Sequence, residues 1–188
     1  MIRDIIQEIS LMSDKSLGTI TDIVEIFDYQ KDEVFLRKGK RNNSEYFVLK
    51  GVCRSFLFNP EGEEITISFF TENSIISPYT TRTANGLSTL NFQALTTVTL
   101  GAMDADRFEN LMVENLEIRE FGNRVLRNEL KNKVEKEIGM ASQTAKERLL
   151  KFREQYPLLE NTIPHSVISS YLGITNISLS RLRKELVK

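Results

Sequence analysis

The stretch that most constrains this chain is ISSYLGITNISLSRLRK, residues 168–184. Its first half, extended by one residue, places four apolar side chains on one face of a helix: Val167, Ile168, Tyr171 and Leu172. Gly173 follows at once and supplies the backbone freedom with which helices commonly end. Pro164 suits the first position of the helix, with Thr162 or Ile163 just outside it. The pattern predicts a short helix closed by a tight turn.

A second short helix is predicted directly after the turn. Thr175 is placed to accept a hydrogen bond from the backbone N–H of Ile177 or Ser178, which would make it the N-cap. Three leucines form the inward face: Leu179, Leu182 and Leu186. The outer face is polar and basic, with Asn176, Ser178, Ser180, Arg181, Arg183 and Lys184. Such a pair of helices is typical of a helix-turn-helix that reads DNA. An ordinary amphipathic helical hairpin with a solvated charged side is the alternative.

The distribution of charge favours the DNA interpretation. Residues 141–188 contain eight Lys and Arg against four acidic residues, a balance of +4, whereas the whole chain stands at −1. A basic end on a weakly acidic body suits a segment that binds a polyanion. The excess is modest, because Glu147, Glu154 and Glu185 partly offset it.

Composition narrows the class of protein. A chain of 188 residues with 40% hydrophobic content can bury one large core or two smaller ones. No apolar run approaches the roughly 20 residues of a membrane span, and residues 1–12 alternate charge with isoleucine, unlike a signal peptide. We therefore expect a cytoplasmic protein. Cys53, the sole cysteine, excludes an internal disulfide or a cysteine-only metal site, and we expect it to be buried in a strand.

The predicted secondary structure changes from helices to strands within the first 103 residues. Isoleucines at helical spacing predict a helix over residues 2–12, and a second helical stretch is predicted from Leu17 to Phe27 after a cap at Ser13. From Val34 to Met103 the chain consists of short β-rich runs: EYFVLKG, VCRSFLF, EITISFF, STLNFQAL and TVTLGAM. Turn residues separate them at 38–39, 59–62 and 85–86. These short strands favour an antiparallel jelly roll or barrel-like sandwich.

Helical patterns return from Asp104 onward. A short helix is predicted around Phe108 to Met112, followed by a long one over 116–138 whose apolar stripe comprises Ile118, Phe121, Val125, Leu126, Leu130, Val134 and Ile138. Such a helix needs a partner, which is either the β domain or a second copy of itself. We expect Gly139 to break this helix, Ser142 or a nearby polar residue to cap the next one over 144–156, and Pro157 to stop that one.

The order of these parts resembles the Crp/Fnr family of bacterial transcription regulators over essentially the whole chain. FLRKG at 35–39, YFVLKGVCR at 46–54 and the ending at 168–184 carry the likeness, and LGIT followed by LSRLRK is similar to members common in Bacteroidetes. The resemblance implies an α+β fold with three parts. These are an antiparallel β-roll of the cyclic-nucleotide-binding type with its helical lead-in (1–115), a long dimerisation helix (116–139) and a helix-turn-helix domain (140–188). It also implies a homodimer bound in the DNA major groove.

The ligand cassette departs from the family pattern. Members that bind cyclic nucleotides hold the ribose with a Gly-Glu pair and the phosphate with an Arg followed by Ser or Thr. Here Ser77 and Pro78 stand at the first pair of positions, and Ser88 and Thr89 at the second. A buried phosphate without its guanidinium would lack a compensating charge, so the usual binding of cyclic AMP is not expected. Arg82, in the intervening loop, would substitute only under a different register.

Two further departures concern cofactors and the end of the chain. The iron-sulfur and haem sensors of the family need several cysteines or an axial ligand, and Cys53 with the sole histidine, His165, fits neither. We expect no cofactor, although an unknown small-molecule effector of the roll stays open. The family usually adds a β-hairpin wing after its recognition helix, whereas this sequence stops at Lys188. This difference predicts DNA binding that is weaker or depends more on a partner.

The resemblance assigns roles along the second helix. Arg181 stands where members most often reach a base edge, and an arginine suits bidentate contact with guanine O6 and N7. Asn176 and Ile177 occupy the first turn, where bases are also read. Phosphate contacts are expected from Thr175, Ser178 and Ser180, with added charge from Arg183 or Lys184. His165 is expected to be a capping or surface residue near phosphate.

Two alternatives belong to other functional classes. A cupin-like metalloenzyme would use the same roll, but its site takes two or three histidines, and residues 34–103 contain none. No nucleophile elbow, Walker loop or GxGxxG is present, so neither an enzyme nor a metal site is expected. The other alternative keeps the fold without DNA binding, as a small-molecule or protein sensor or adaptor. Salt-dependent retention on DNA separates it from a regulator.

Overall fold

The computed structural model describes residues 1–76 and 78–186. Its contacts divide the chain into two compact units. The first comprises Met1–Ser55 and Phe69–Lys131, and the second comprises Phe56–Ser68 together with the chain from Asn132 onward. The outer part of one β-hairpin thus belongs with the C-terminal helices. The three-part division by sequence stays a prediction.

The lead-in helices are α1 (Ile2–Ile9) and α2 (Asp14–Thr21). Ser13 caps α2 as predicted, since its side chain accepts a hydrogen bond from the backbone N–H of Ser16. The predicted extension of this helix to Phe27 is wrong, because Val24–Tyr29 forms strand β1. Its β-branched and aromatic side chains suit a strand, and it pairs antiparallel with Val98–Asp104 near the end of the roll. That long-range pairing overrides the local helical rhythm.

The β-roll consists of two four-stranded sheets and a small hairpin, in the order β1-β10-β3-β6, β2-β9-β4-β5 and β7-β8. The remaining strands are β2 (Val34–Leu36), β3 (Ser44–Lys50), β4 (Cys53–Phe58), β5 (Glu64–Phe70), β6 (Ile75–Ile76), β7 (Thr83–Ala84), β8 (Leu87–Ser88), β9 (Asn91–Ala94) and β10 (Val98–Asp104). The pairings β1-β10, β10-β3, β3-β6, β2-β9 and β7-β8 are antiparallel. The predicted antiparallel roll is confirmed.

Turn chemistry and packing explain why these strands form. The β7-β8 hairpin turns at Asn85 and Gly86, both with positive φ, which is the geometry that an Asn-Gly pair favours between antiparallel strands. The interior of the roll is apolar, with Val48, Cys53 and Phe92 fully buried. Burial raises the pKa of the Cys53 thiol, as expected for a cysteine that serves only as a small apolar side chain.

Two helices follow the roll, α4 (Ala105–Glu114) and the long α5 (Leu116–Ser142). Ile118 and Phe121 are buried in the core of the first unit with α1 and α2, whereas the later members of the stripe are exposed: Leu126, Leu130, Val134 and Ile138. The apolar residues predicted to form a single stripe therefore lie on two faces of α5, one buried and one exposed.

The predicted helix break at Gly139 is wrong. The backbone N–H of Gln143 donates to the Gly139 carbonyl at 3.0 Å, so the helix continues through Ser142. A glycine in a helix interior costs about 1 kcal/mol relative to alanine, which weakens a helix without ending it.

The second unit contains four short helices: α6 (Ala145–Gln155), α7 (Leu159–Thr162), α8 (His165–Leu172) and α9 (Asn176–Leu186). Thr144, rather than Ser142, caps α6 through a capping box with Glu147. Pro164 is the N-cap of α8, one position earlier than predicted. None of the helices in the described part of the chain is both long and apolar enough to cross a membrane.

Candidate nucleic-acid interface

The turn between α8 and α9 forms where the sequence predicts it. Gly173 adopts the left-handed conformation, with φ 64° and ψ 38°, and ends α8. A side chain at this position would also meet the Met140 methyl group, since an added Cβ would lie 2.6 Å from it. Thr175 then accepts a hydrogen bond from the backbone N–H of Ser178 at 3.1 Å and acts as the N-cap of α9. Both ends of the turn are therefore set by local chemistry.

The outer face of α9 is accessible in this chain. Asn176, Ile177, Ser180, Arg181 and Lys184 are exposed, while Leu179 is buried. Within the described residues, no side chain forms a hydrogen bond or an ion pair with the Arg181 guanidinium. The structure thus leaves this predicted base reader open to an external partner.

Asn176 and Ser178 in the first turn of α9, and its cap Thr175, have local partners. Asn176 accepts a hydrogen bond from the Ser169 hydroxyl at 2.6 Å, which ties the start of α9 to α8. The hydroxyls of Thr175 and Ser178 lie 3.0 Å apart at the cap. These contacts order the first turn of α9.

Arg183 forms an ion pair where a phosphate contact was predicted. Its Nε donates to Oε1 of Glu160 at 2.6 Å, and Arg153 binds the same carboxylate through Nε and Nη2 at 2.6 and 2.9 Å. The hydrogen bonds from Arg153, and to a smaller degree those from Arg183, hold the pKa of Glu160 below its usual value despite its burial. His165 is exposed, as predicted, with Nδ1 3.4 Å from Nη1 of Arg183.

The outer part of the β4-β5 hairpin contacts these helices within the second unit. The Ser170 hydroxyl donates to Oγ1 of Thr66 at 2.9 Å, and Thr66 returns a backbone N–H bond at 3.2 Å. Lys136 donates to the Ile67 carbonyl and lies 3.9 Å from the centre of the Tyr171 ring. Burial lowers the pKa of Lys136 to about 8. The sequence pattern missed this contact, because nothing in the local spacing links residues 66 and 170.

The hydroxyl groups at the second pair of positions of the ligand cassette are hydrogen-bonded to backbone carbonyls of the same region. Ser77 lies outside the described residues, and Pro78 is the N-cap of α3 (Tyr79–Arg82). Ser88 is buried and donates to the Leu90 carbonyl at 2.7 Å. Thr89 donates to the Arg82 carbonyl through both its N–H and its hydroxyl, each at 2.9 Å. The two hydroxyls at the predicted phosphate positions are therefore engaged by carbonyls.

Arg82 is buried at the end of α3, whereas a position in a loop was predicted. Only 1% of it is exposed, and it donates to the Ser44 carbonyl. Its guanidinium carbon lies 5.3 Å from the centre of the Tyr46 ring and 6.0 Å from that of Phe92, within cation–π range. Its Nη2 is 3.8 Å from Oε2 of Glu45. Burial lowers the pKa of Arg82, and the nearby Glu45 carboxylate partly opposes that shift.

Glu45 is the residue of this cluster that the sequence interpretation missed. It lies on the face of β3 that packs against the helices of the first unit, and its Oε1 accepts the backbone N–H of Tyr79 at 2.7 Å. Burial raises its pKa to about 7, although that hydrogen bond and Arg82 act in the opposite direction. An acidic residue alternating with Phe47 and Leu49 on an inward face was the available signal. Among the described residues, no group of three His, Cys, Asp or Glu side chains could hold a metal ion.

Comparison with known proteins agrees with this architecture. The family model of the cyclic nucleotide-binding domain matches residues 26–115. The global nitrogen regulator of Nostoc sp. is 25% identical over 181 residues, covering 90% of this chain and 80% of that protein. The structure of FixK2 from Bradyrhizobium japonicum matches with a TM-score of 0.75 at 20% identity. The match covers 87% of this chain and 84% of the FixK2 chain.

A structure of a regulator from Eubacterium rectale, assigned to the crp/fnr family, matches with a TM-score of 0.71 at 14% identity. The match covers 93% of this chain and 83% of that one. At these identities the structural matches establish the fold alone. The chain therefore combines a cyclic nucleotide-binding type of jelly roll with following helices, in the α+β fold of the Crp/Fnr regulator structures.

Proposed function

We propose that this chain is a DNA-binding transcriptional regulator of the Crp/Fnr type, and that α8 and α9 form its helix-turn-helix. The observation that carries the proposal is the exposed face of α9 with Arg181 at its centre, directly after a turn built by Gly173 and Thr175. An ordered helix that presents a guanidinium without an internal partner suits major-groove recognition. The LGIT and LSRLRK segments support the type common in Bacteroidetes, and DNA as the partner supports a cytoplasmic site of action.

The proposed contacts divide by chemistry. Arg181 reads a guanine edge, and Asn176 lies in the first turn where a second base is within reach. Thr175, Ser178, Ser180 and Lys184 contact phosphate, either through their side chains or by ordering the N–H groups of the first turn. Arg183 is left out of this set because the Glu160 carboxylate already holds it.

We further propose that two copies pair through α5. Leu130, Val134 and Ile138 recur every four residues on one helix face and are exposed. Ile118 and Phe121, buried in the first unit, point to the opposite side of the same helix. An exposed apolar face of this length is typical of an interface between identical helices. Duplication would present two recognition helices to half-sites about 34 Å apart.

The roll is proposed to be regulatory without binding cyclic AMP in the usual way. Ser88 and Thr89 bond to carbonyls, and the one guanidinium of the region, Arg82, is already surrounded by Glu45, Tyr46 and Phe92. A phosphate would have to displace these contacts. Regulation rather than catalysis is therefore the proposed role, with an effector of different chemistry, or none, acting at the roll.

Selection of bound DNA from a genomic library tests the proposal. The wild type should enrich a palindromic site, and Arg181→Ala should lose it, because one bidentate guanine contact is worth about 1–3 kcal/mol in each half-site. Lys31→Ala, an exposed charge removal in the roll, should enrich the same site as the wild type. If no duplex is retained at low salt, the sensor or adaptor function is supported instead.

A further inference from the structure

Glu160 joins more helices of the second unit than its place in the sequence suggests. It lies on the four-residue helix α7 and is 8% exposed. Arg153 reaches it from α6 in a two-bond, fork-like arrangement, and Arg183 reaches it from α9. These three residues, here named the Glu160 clamp, connect α6, α7 and α9.

The position of Arg183 makes the clamp relevant to α9 in particular. The N-terminal end of α9 is held by the Thr175 cap and by Leu179, the residue of the helix that is fully buried. Towards its C-terminal end, Arg183 binds Glu160 and Lys146 pairs with Glu185. Lys146 and Glu185 are largely exposed, and such pairs contribute little. The nearly buried carboxylate of Glu160 is therefore the main polar restraint on this half of the helix.

The clamp also changes the charge that the unit offers to a polyanion. One carboxylate neutralises part of the charge of two guanidiniums and orients the donors of both toward itself. Arg181, two residues before Arg183, has no such partner among the described residues. Two arginines of one helix are thus placed in different chemical situations.

Resting on the DNA-reading function proposed above, we propose that Glu160 is a positioning residue that sets sequence specificity. It holds Arg183 and so fixes the orientation of α9 from which Arg181 reaches a base edge. It also keeps Arg153 and Arg183 from adding phosphate contacts that any DNA sequence would satisfy. Glu160 itself does not touch DNA.

The central test compares Glu160→Gln with Glu154→Gln, which removes the same charge from an exposed position on α6. Each variant and the wild type are titrated with the selected operator duplex and a scrambled duplex between about 50 and 200 mM salt. Glu160→Gln should bind the scrambled duplex more tightly, with a salt slope steeper by about one or two units. Its ratio of specific to non-specific affinity should fall about tenfold. Glu154→Gln should change neither the slope nor the ratio.

A second pair of variants keeps the test decisive if Glu160→Gln folds poorly. Arg183→Gln leaves the fork between Arg153 and Glu160 in place, and should lower the specificity ratio without changing the salt slope. Lys184→Gln, which removes a proposed phosphate contact, should lower the slope by about one unit. Equal behaviour of Glu160→Gln and Glu154→Gln, or a slope loss in Arg183→Gln equal to that in Lys184→Gln, would overturn the positioning role. Wild-type protein that binds neither duplex would instead refute the DNA function itself.

Discussion

The roll and the helical unit each bury an acidic residue beside arginine, with opposite results. Glu45 in the roll and Glu160 in the helices are 9% and 8% exposed. The pKa of Glu45 is raised to about 7 because burial dominates, whereas the pKa of Glu160 is lowered because hydrogen bonds from arginine dominate. Equal exposure of a carboxylate therefore does not decide its charge state.

The geometry around each carboxylate explains the difference. The Nη2 atom of Arg82 lies 3.8 Å from Oε2 of Glu45, and Arg82 is 1% exposed, so little water reaches this pair. Arg153 and Arg183 bond to Glu160 at 2.6 Å and have side chains 30% and 34% exposed, so water still solvates their outer edges. Short charge-assisted hydrogen bonds stabilise the carboxylate, while desolvation destabilises it.

Removing the ion pair between Arg82 and Glu45 should have the largest effect on stability. Arg82→Met removes the guanidinium beside Glu45 and leaves that buried carboxyl group without its charged partner, so the free energy of unfolding should fall by about 3–5 kcal/mol. Urea denaturation at pH 7 measures this change. Arg107→Met, on the exposed side of α4, is the matched control. Its free energy of unfolding should fall by less than about 0.5 kcal/mol. Similar losses in both variants would show that the Arg82 site is not buried as described.

The pH dependence of stability should separate the two carboxylates. The raised pKa of Glu45 means that its folded form binds the proton more tightly than the unfolded chain does. Its contribution is thus present below pH 4.5 and lost as the pH rises to about 7, a loss of roughly 3 kcal/mol. Glu160 acts in reverse, because its lowered pKa adds stability above pH 4.5 that is lost on further acidification.

Unfolding curves between pH 3 and 8, at about one-unit steps, measure both effects. Glu45→Gln should flatten the decline between pH 4.5 and 7, and Glu160→Gln should flatten the acid limb instead. A decline that persists unchanged in Glu45→Gln would assign it to another group.

Removing one arm of the Glu160 clamp should have the smallest effect. Arg153→Gln loses a two-bond charged contact at the surface of the unit but leaves Arg183 on the carboxylate, so the free energy of unfolding should fall by about 1–2 kcal/mol. Thermal unfolding followed by circular dichroism measures it, with Arg127→Gln on the exposed face of α5 as the control. If Arg153→Gln lowered the free energy of unfolding as much as Arg82→Met, the contrast between the partly solvated Glu160 pairs and the buried Glu45 pair would be contradicted.

Much of the fold was predictable because its signals are local. The caps at Ser13 and Thr175, the turn at Gly173 and the Asn85-Gly86 hairpin each depend on residues a few positions apart. Strand β1 and the continuity of α5 through Gly139 were not predictable in this way. Pairing of β1 with β10 joins residues 69 to 79 positions apart, and a helical glycine is tolerated once the surrounding turns are formed.

The candidate site likewise has residues that the local sequence predicts and contacts that it does not. Arg181 was identified from its place on an outward helix face and from the family resemblance, and the structure leaves it exposed. Arg183 has the same sequence signal, yet Glu160 holds it, and nothing in the spacing of residues 160 and 183 indicates that contact. Arg82 was expected in a loop and lies in the roll beside Glu45.

The amino-acid sequence by itself determined most of the helices and strands, although not β1, as well as the caps at Ser13 and Thr175 and the basic outer face of α9. These features follow from interactions between near neighbours. Tertiary structure alone decided which charged side chains meet: Arg82 with Glu45, and Arg153 and Arg183 with Glu160. The reason is physical. The state of a charged group depends on the distance to its partner and on the water around both, and folding sets these quantities between residues distant in the chain.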